Sequence, residues 1–410
     1  MSDEPKKSVW KHRRVDELFE INSGITVGPA RKPVKRTRGY LRVANVQRGR
    51  IDLSDVMDIE ELPGDDQRYA VAEGDLLVVE GHANPNEIGR CAVAGADSAG
   101  LLHQNHLFRL RGERIIPRLA AELLNSANVR RYWLANAGTS SGLYTISRRA
   151  LAALMIPDIP ACEQREIVAF LDSLASSERS AEAMIEKLNI ARNAILLKGM
   201  SSVVEPSARA GWERVPLKEI VPSIDYGISC PLNRDSRGLP TLRMNNLKEG
   251  RPYLADLRYC SQPVHPRLIL RDGDVLFNRT NSMEHVGRAG VWRGELKEAT
   301  FASYLVRLNI DANRVMPQYL VEWLQHPVIR QRVQAVATVA VQQVNVNPSR
   351  LRELKIDVPI DLAEQRRFVA TLAACDRRIH EEVNELNKLR ILKRTLASEL
   401  LDEAKISRAA

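Results

Sequence analysis

The sequence predicts an α+β protein of two similar globular domains, joined by two long helices packed as an antiparallel coiled coil with pseudo-two-fold symmetry. Two observations carry that prediction. The first is that the 410-residue chain is written twice. Trp10 to Leu18 is answered by Trp212 to Ile220, and Leu41-Arg42-Val43-Ala44-Asn45 by Leu242-Arg243-Met244-Asn245-Asn246. Gly74-Asp75-Leu76-Leu77 returns as Gly273-Asp274-Val275-Leu276, Gly89-Arg90 as Gly287-Arg288, Leu107-Phe108-Arg109-Leu110 as Leu305-Val306-Arg307-Leu308, and Glu163-Gln164-Arg165 as Glu364-Gln365-Arg366. Subtracting residue numbers gives offsets of 202, 201, 199, 198, 198 and 201. So little drift marks one duplicated unit, and its period is the size of a domain, far beyond that of a solenoid repeat.

The second observation is a helical seam at the end of each copy. From Glu163 to Met200, apolar residues fall at Ile167, Leu171, Leu174, Ala181, Ile185, Leu188 and Ile195. From Glu364 to Asp402 they fall at Phe368, Leu372, Cys375, Ile379, Leu386, Leu389, Leu396 and Leu400. Spacings of three, four and seven are a heptad pattern. Each helix would run roughly 55 Å at 1.5 Å per residue. Neither can bury its seam alone, so the expectation is that they pair, antiparallel, with a globule at each end. Glu178, Arg192, Glu382 and Lys393 interrupt the seams. The plain reading of Arg192 and Lys393 is that they stretch outward to water; the alternative is that they set register.

Taken in order, residues 1–160 form the first globule, 161–200 the first long helix, 201–211 a linker, 212–361 the second globule and 362–404 the second helix. Within the globules, Asp75-Leu76-Leu77-Val78-Val79 and Asp274-Val275-Leu276-Phe277 read as strands entered through Gly-Asp turns. Pro117–Asn136 and Pro317–Ala337 read as helices, each opened by a proline that suits the first turn.

Composition narrows the function. Hydrophobic residues make up 44%, which excludes wholesale disorder, and no apolar run nears the roughly 20 residues that span a bilayer. Met1 to Lys7 is charged and leads into no apolar signal segment, so a cytoplasmic protein with no membrane partner is expected. The five cysteines form no paired motif, which argues against zinc and against a disulfide framework. A net charge of +9 is compatible with a nucleic-acid surface, whereas 5% aromatic content argues against single-strand binding on stacked rings. There is no phosphate loop and no metal-binding helix motif. Asn84-Pro85-Asn86-Glu87 lacks the second proline and the aromatic of an amino-methyltransferase motif. His103 and His106 have Ala302 and Leu305 at their counterparts, which favours core or surface histidines over ligands. The recurring Asp75 and Asp274 follow glycines and read as turn residues.

The two copies differ most in three polar loops, where DNA contacts are expected. The first, Val27–Gly39, carries Lys32, Lys35, Arg36 and Arg38; its counterpart, Cys230–Gly238, carries Asn233, Arg234 and Arg237. The second offers His82, Asn84 and Asn86 against Asn278, Arg279, Asn281 and Ser282. The third offers Ser140, Ser141 and Tyr144 against Gln342, Gln343 and Asn345. Lys and Arg neutralise phosphates, while Asn, Gln and Arg can make paired hydrogen bonds to base edges.

The doubled order of Trp with an amphipathic stretch, Leu-Arg-x-x-Asn, Gly-Asp-x-Leu, Gly-Arg and a proline step into Glu-Gln-Arg resembles the specificity (S) subunit of type I restriction-modification systems. The likeness is strongest at Ile156 to Arg165 and Val358 to Arg366. Cys162 stands where an acidic or small residue is more usual. The resemblance implies two target-recognition domains, one for each half of a bipartite, asymmetric site in double-stranded DNA, with the helices as a ruler between them. It implies no catalytic residue and no cofactor in this chain. Two methyltransferase (M) subunits, binding S-adenosylmethionine and methylating a flipped adenine, would dock on the helices, with restriction (R) subunits as further partners. The competing expectations are an assembly scaffold or regulatory homologue that no longer reads DNA, and a stand-alone nuclease or methyltransferase.

Overall fold

The computed structural model describes residues 10–140, 142–200, 203, 205, 207–339 and 343–400. The chain divides into two compact units, Met1–Glu182 with Asn384–Ala410, and Ala183–Val383. Both mix α and β structure. Among the described residues no helix is long and apolar enough to cross a membrane.

In the first unit, Leu76–Val79 lies between Leu107–Arg111 and Cys91–Val93, and Glu20–Ser23 completes a four-stranded antiparallel sheet. All four residues of Leu76–Val79 are fully buried because both faces of the strand are covered. Leu76 and Val78 pack with Phe108, Leu119 and Trp133, while Leu77 and Val79 pack with Leu41, Val46 and Leu107. A continuous apolar run is what such a strand requires. Beside it stand a three-stranded sheet of Leu102–His103, Thr37–Leu41 and Met57–Glu60, and a small one of Gly138–Ser140, Leu143–Thr145 and Gly81–His82. His12–Arg14 pairs with Met155–Pro157.

The second unit repeats the plan. Its four-stranded sheet runs Ser223–Tyr226, Leu305–Asn309, Val275–Asn278 and Ala289–Val291. Arg258–Cys260, Leu239–Leu242 and Thr300–Phe301 form the second sheet; Thr280–Asn281, Val344–Val346 and Ala337–Val339 form the small one. The Gly-Asp turns are built alike. Gly74 and Gly273 adopt φ of 87° and 88°, a left-handed conformation that glycine takes without strain. The following carboxylate closes the turn, Asp75 accepting the Ala72 N–H at 2.7 Å and Asp274 the Arg271 N–H at 2.9 Å.

The stretches expected as single helices are each broken in two, into Pro117–Leu124 and Ala127–Asn136, and into Pro317–Gln325 and Pro327–Ala335. The cause is local. Ser126 caps a new helix by accepting the Val129 N–H at 3.2 Å. In the second unit Pro327 has no N–H to continue the first helix and opens the next.

The long helices are Ala161–Gly199 and Leu362–Glu399. Part of each lies in either unit. In the first unit Leu171 and Leu400 enter the core, with Leu396 packed against it, and Arg390 bonds Glu182 at 2.6 Å. In the second unit Leu196, Met200 and Leu372 enter the core. There the segments run antiparallel, since Arg192 meets Asp376 and Gly199 meets Phe368. A Cβ on Gly199 would lie 2.1 Å from the Phe368 ring, so the contact requires glycine. Val203, in the expected linker, is buried in this core.

Arg192 and Lys393 do not stretch outward. Arg192 bonds both Asp376 and Glu322, the latter at 2.9 Å, and its counterpart Lys393 reaches Glu122 at 3.3 Å. Glu122 and Glu322 occupy matched places on the helices Pro117–Leu124 and Pro317–Gln325. Hydrogen bonds and charge from Asp376 and Glu322 outweigh the burial that would lower the Arg192 pKa, and it is raised. Burial raises Glu322 despite Arg192.

The Glu-Gln-Arg repeat has a structural explanation. Gln164 is buried and its amide is fully used: it accepts the Ile116 N–H at 2.7 Å and donates to the carbonyls of Arg114 (2.9 Å) and Ile159 (2.8 Å). Gln365 does the same with the Met316 N–H (2.9 Å) and the carbonyls of Arg314 (2.8 Å) and Pro359 (3.0 Å). The preceding glutamates accept the indole N–H of Trp10 at 3.0 Å and of Trp212 at 3.1 Å. Each buried hydrogen bond contributes about 1 kcal/mol, and orphaning its partner costs about 1–3 kcal/mol. Gln164→Leu and Gln365→Leu should therefore each cost about 3 kcal/mol in urea unfolding. Gln164→Glu should do no better, because a carboxylate would face two carbonyls. Losses below about 0.5 kcal/mol would contradict the clasp.

Candidate nucleic-acid interface

The loops stand on a frame built from the repeated Leu-Arg-x-x-Asn. Asn45 is buried; it accepts the Arg42 N–H at 2.9 Å and donates to the carbonyls of Asp52 (2.9 Å) and Asp55 (3.0 Å). Asn246 repeats this with the Arg243 N–H (2.9 Å) and the carbonyls of Tyr253 (2.8 Å) and Ala255 (3.1 Å). Arg42 and Arg243 then pair with Asp55 and Asp256 at 2.7 and 2.8 Å. These recurring side chains are occupied in holding backbone.

The structure brings the second and third loops together in each unit. His82 lies opposite Tyr144 across the strand pair Gly81–His82 and Leu143–Thr145. In the second unit Thr280 lies opposite Asn345 and Asn281 opposite Val344. Arg279 is the junction there, bonding the Asn345 Oδ1 at 3.1 Å with its guanidinium 5.3 Å from the centre of the Tyr226 ring. The first loop belongs to a different sheet in both units, flanking Thr37–Leu41 and Leu239–Leu242.

The expected contact residues have different fates. Lys32, Lys35 and Arg36 are exposed, although Arg36 also bonds Glu61 at 2.9 Å. Backbone N–H groups of Lys35, Val34 and Arg36 hold Glu60 below the ordinary carboxylate range and so shape this loop. Arg38 is bound to Glu61 (2.8 Å), Asp66 (2.6 Å) and the Gly100 carbonyl (2.6 Å), which makes it a brace. Asn84 and Asn86 are exposed, and His82 accepts the Asn84 N–H at 2.9 Å. In the second unit Arg234 and Ser282 are exposed, Asn233 bonds Ser261 at 2.9 Å, and Arg237 lies in solvent beside Asp235. Asn278 and Asn281 are buried, both donating to the Met244 carbonyl, at 2.8 and 3.3 Å. Burial gives them a bracing role in this conformation and no surface toward a ligand. Gln343 is exposed and Asn345 and Tyr144 are half-buried. Ser140 ends the strand Gly138–Ser140, with its side chain outside the description. Ser141 and Gln342 lie outside the described residues.

Exposed Tyr226 and Tyr304, absent from the expected contact set, flank Arg279; the Tyr304 carbonyl accepts the Arg279 N–H at 3.1 Å. Their signal in the sequence is weak, since only folding brings positions 226, 279 and 304 together. The Cys230 and Cys260 thiols touch, at 2.7 Å, at the base of the first loop of this unit. Among the described residues no group of three His, Cys, Asp or Glu side chains is disposed to hold a metal ion.

No protein-family model matches the chain. A curated protein of Methanocaldococcus jannaschii, described as a type I restriction enzyme MjaX specificity subunit, is 29% identical over 185 residues, 43% of this chain and 43% of its own length. The first of these relatives is thus matched over less than half its length. The EcoKI specificity subunit of Escherichia coli is 22% identical over 370 residues, 84% of this chain and 77% of that protein. A chain from a structure of the type I R-M system, solved for its complex assembly and conformational transition, superposes with a TM-score of 0.60 at 20% identity, covering 98% of this chain and 99% of its own. The HsdS subunit from Thermoanaerobacter tengcongensis does so at 0.51 and 20%, over the same shares. At these identities the superpositions establish likeness of fold.

His103 lies in the core beside the first loop sheet, with Nδ1 2.7 Å from the Tyr69 carbonyl. Burial is the main influence and pushes its pKa down to about 4. Above about pH 6.5 the imidazole is neutral whether folded or unfolded. Below that, the unfolded chain takes a proton that the folded chain refuses, so stability falls between about pH 6.5 and 4, by some 3 kcal/mol at most. His103→Gln should flatten that part of the urea-midpoint profile. An unchanged slope would contradict a buried, neutral imidazole.

Proposed function

We propose that this chain, which belongs to the specificity subunits of type I restriction enzymes, is a non-catalytic reader of double-stranded DNA. Each globule would contact one half of a bipartite, asymmetric site, and the long helices, packed as an antiparallel coiled coil, would set the distance between halves. The observation that carries this reading is a shared frame bearing different polar side chains. Asn45 and Asn246, Asp75 and Asp274, and Gln164 and Gln365 repeat their bonds to backbone N–H groups one for one. On that frame the first unit exposes Lys32, Lys35, Arg36, Asn84 and Asn86, and the second exposes Arg234, Arg237, Ser282 and Gln343. Two different half-sites call for this combination. Phosphate contacts would supply much of the affinity, and base edges in the grooves the choice of sequence.

In this reading the chemistry belongs to partners. Two methyltransferase subunits, carrying S-adenosylmethionine, would be held over the site to methylate adenine, with restriction subunits joining the assembly in the cytoplasm. Ile190 and Ile391 support docking on the helices: they hold matched positions and are 61% and 62% exposed. Isolated apolar side chains on a surface are common, but these two repeat with the same offset as the frame.

Selection from randomised duplexes by the complex tests the reading. Exchanging loop 27–39 should change one half of the selected site and leave the other intact; a change in both halves would refute separate readers. Adding seven residues to both long helices lengthens them by about 10 Å, so the spacer should grow by roughly three base pairs. An unchanged spacer would remove the ruler role, and no sequence selection at all would leave a scaffold.

A further inference from the structure

Three arginines crowd the foot of the second loop in the first unit. Arg48 donates to the Asn86 carbonyl at 2.9 Å and to the Asn125 Oδ1 at 3.3 Å. Arg90 donates to the Val43 carbonyl at 2.6 Å and to Glu87 at 3.1 Å. Arg130, on the helix Ala127–Asn136, has a buried Nε without a hydrogen-bond partner. Glu87 is the one carboxylate bonded to any of the three among the described residues. The charge is therefore in excess: Arg90 is buried, Arg130 half-buried and Arg48 at the exposed rim, where loss of solvation, then the charge of Arg130, holds Arg48 below the usual guanidinium range.

The second unit carries two of the three at matched places, with Glu249 standing where the first has Arg48. Arg288 answers Arg90 and Arg330 answers Arg130, each within the drift of the repeat. Arg330 donates to the Glu284 carbonyl at 2.8 Å, and among the described residues no carboxylate forms an ion pair with Arg288 or Arg330. Burial, then Arg288, holds Arg330 below the usual range. Several other poorly exposed arginines are answered by acids, Arg38 by Glu61, Arg192 by Glu322 and Arg307 by Asp225, all within 3 Å.

We propose that Arg48, Arg90 and Arg130 in one unit, and Arg288 and Arg330 in the other, form a matched pair of seats for a phosphate of the DNA backbone. Like charges gathered against a partly buried surface are costly until an anion joins them, and guanidinium groups fork onto phosphate oxygens. The same arginines grip the second loop through the Asn86 and Glu284 carbonyls, so a seated phosphate would fix that loop against the groove. The backbone is the same whatever the bases, which accounts for seats that recur while the loops above them differ. The proposal rests on the DNA-reading function and specifies where that surface takes hold of the backbone.

The test is a salt titration of duplex binding by the full chain and by the double variant Arg130→Gln with Arg330→Gln. The logarithmic salt dependence should become shallower by about two, one phosphate per seat, and affinity should fall alike for every sequence. The thermal midpoint should hold or rise, since like-charge repulsion is relieved. Lysine at both places should restore most of the slope. An unchanged slope, or a lower midpoint with an unchanged slope, would overturn the seats and leave a structural role. Steep but sequence-blind binding by the wild-type chain would refute the reading function while the slope still judged the seats. Wild-type protein with no affinity for duplex would overturn both. A midpoint raised by inorganic phosphate at matched ionic strength in the wild type alone, with the duplex slope unchanged, would assign the arginines to free phosphate and reject the DNA backbone.

Discussion

A buried glutamine at the start of each long helix is the contact on which the rest of the structure depends. Gln164 and Gln365 each satisfy one N–H and two carbonyls where a strand, the start of Pro117–Leu124 or Pro317–Gln325, and the long helix meet. The residue type follows from that demand. A buried acceptor must meet the N–H, and two donors must meet the carbonyls; among short side chains of this reach only an amide supplies both. With its neighbouring glutamate held by a tryptophan indole, the clasp fixes the direction in which the helix leaves its own globule. The proposed reader, with half-sites spaced by the helices, would need that direction to be rigid.

A second tie reinforces the first. Glu122 and Glu322 each receive a cation from a long-helix segment in the same unit, Lys393 in one and Arg192 in the other. Ion pairs of this kind add little net stability when exposed, but removing one partner from a poorly solvated pair is costly. Arg192, shared between Glu322 and Asp376, is the better enclosed of the two, so its pair carries more of the register. Polar residues in the seam thus act toward the globule they face.

The duplication, the heptad seams and the Gly-Asp turns were legible in the sequence because each depends on local pattern. The turn role of Asp75 and Asp274 followed from the glycine before each, and the structure agrees. The two helical breaks were hidden, since an Asn-Ser step or a His-Pro step does not interrupt the apolar pattern. The loop residues were legible only as a class. Whether Arg38 or Asn278 faces solvent depends on Glu61, Asp66 or the Met244 carbonyl, which other segments supply. Arg90 and Arg288 were visible as a repeat, but the approach of Arg130 to Arg48 and of Arg330 to Arg288 is a product of folding.

The frame is uniform and the side chains upon it are not, and that contrast supports the proposal that this chain would supply an address for chemistry done by others. The most direct measurement is a genome-wide map of methylated adenine in source cells with and without this chain. The account expects one split motif, methylated on both strands, to lose its modification when the chain is removed. A methylome that carries such a motif and keeps it unchanged without the chain would contradict the account.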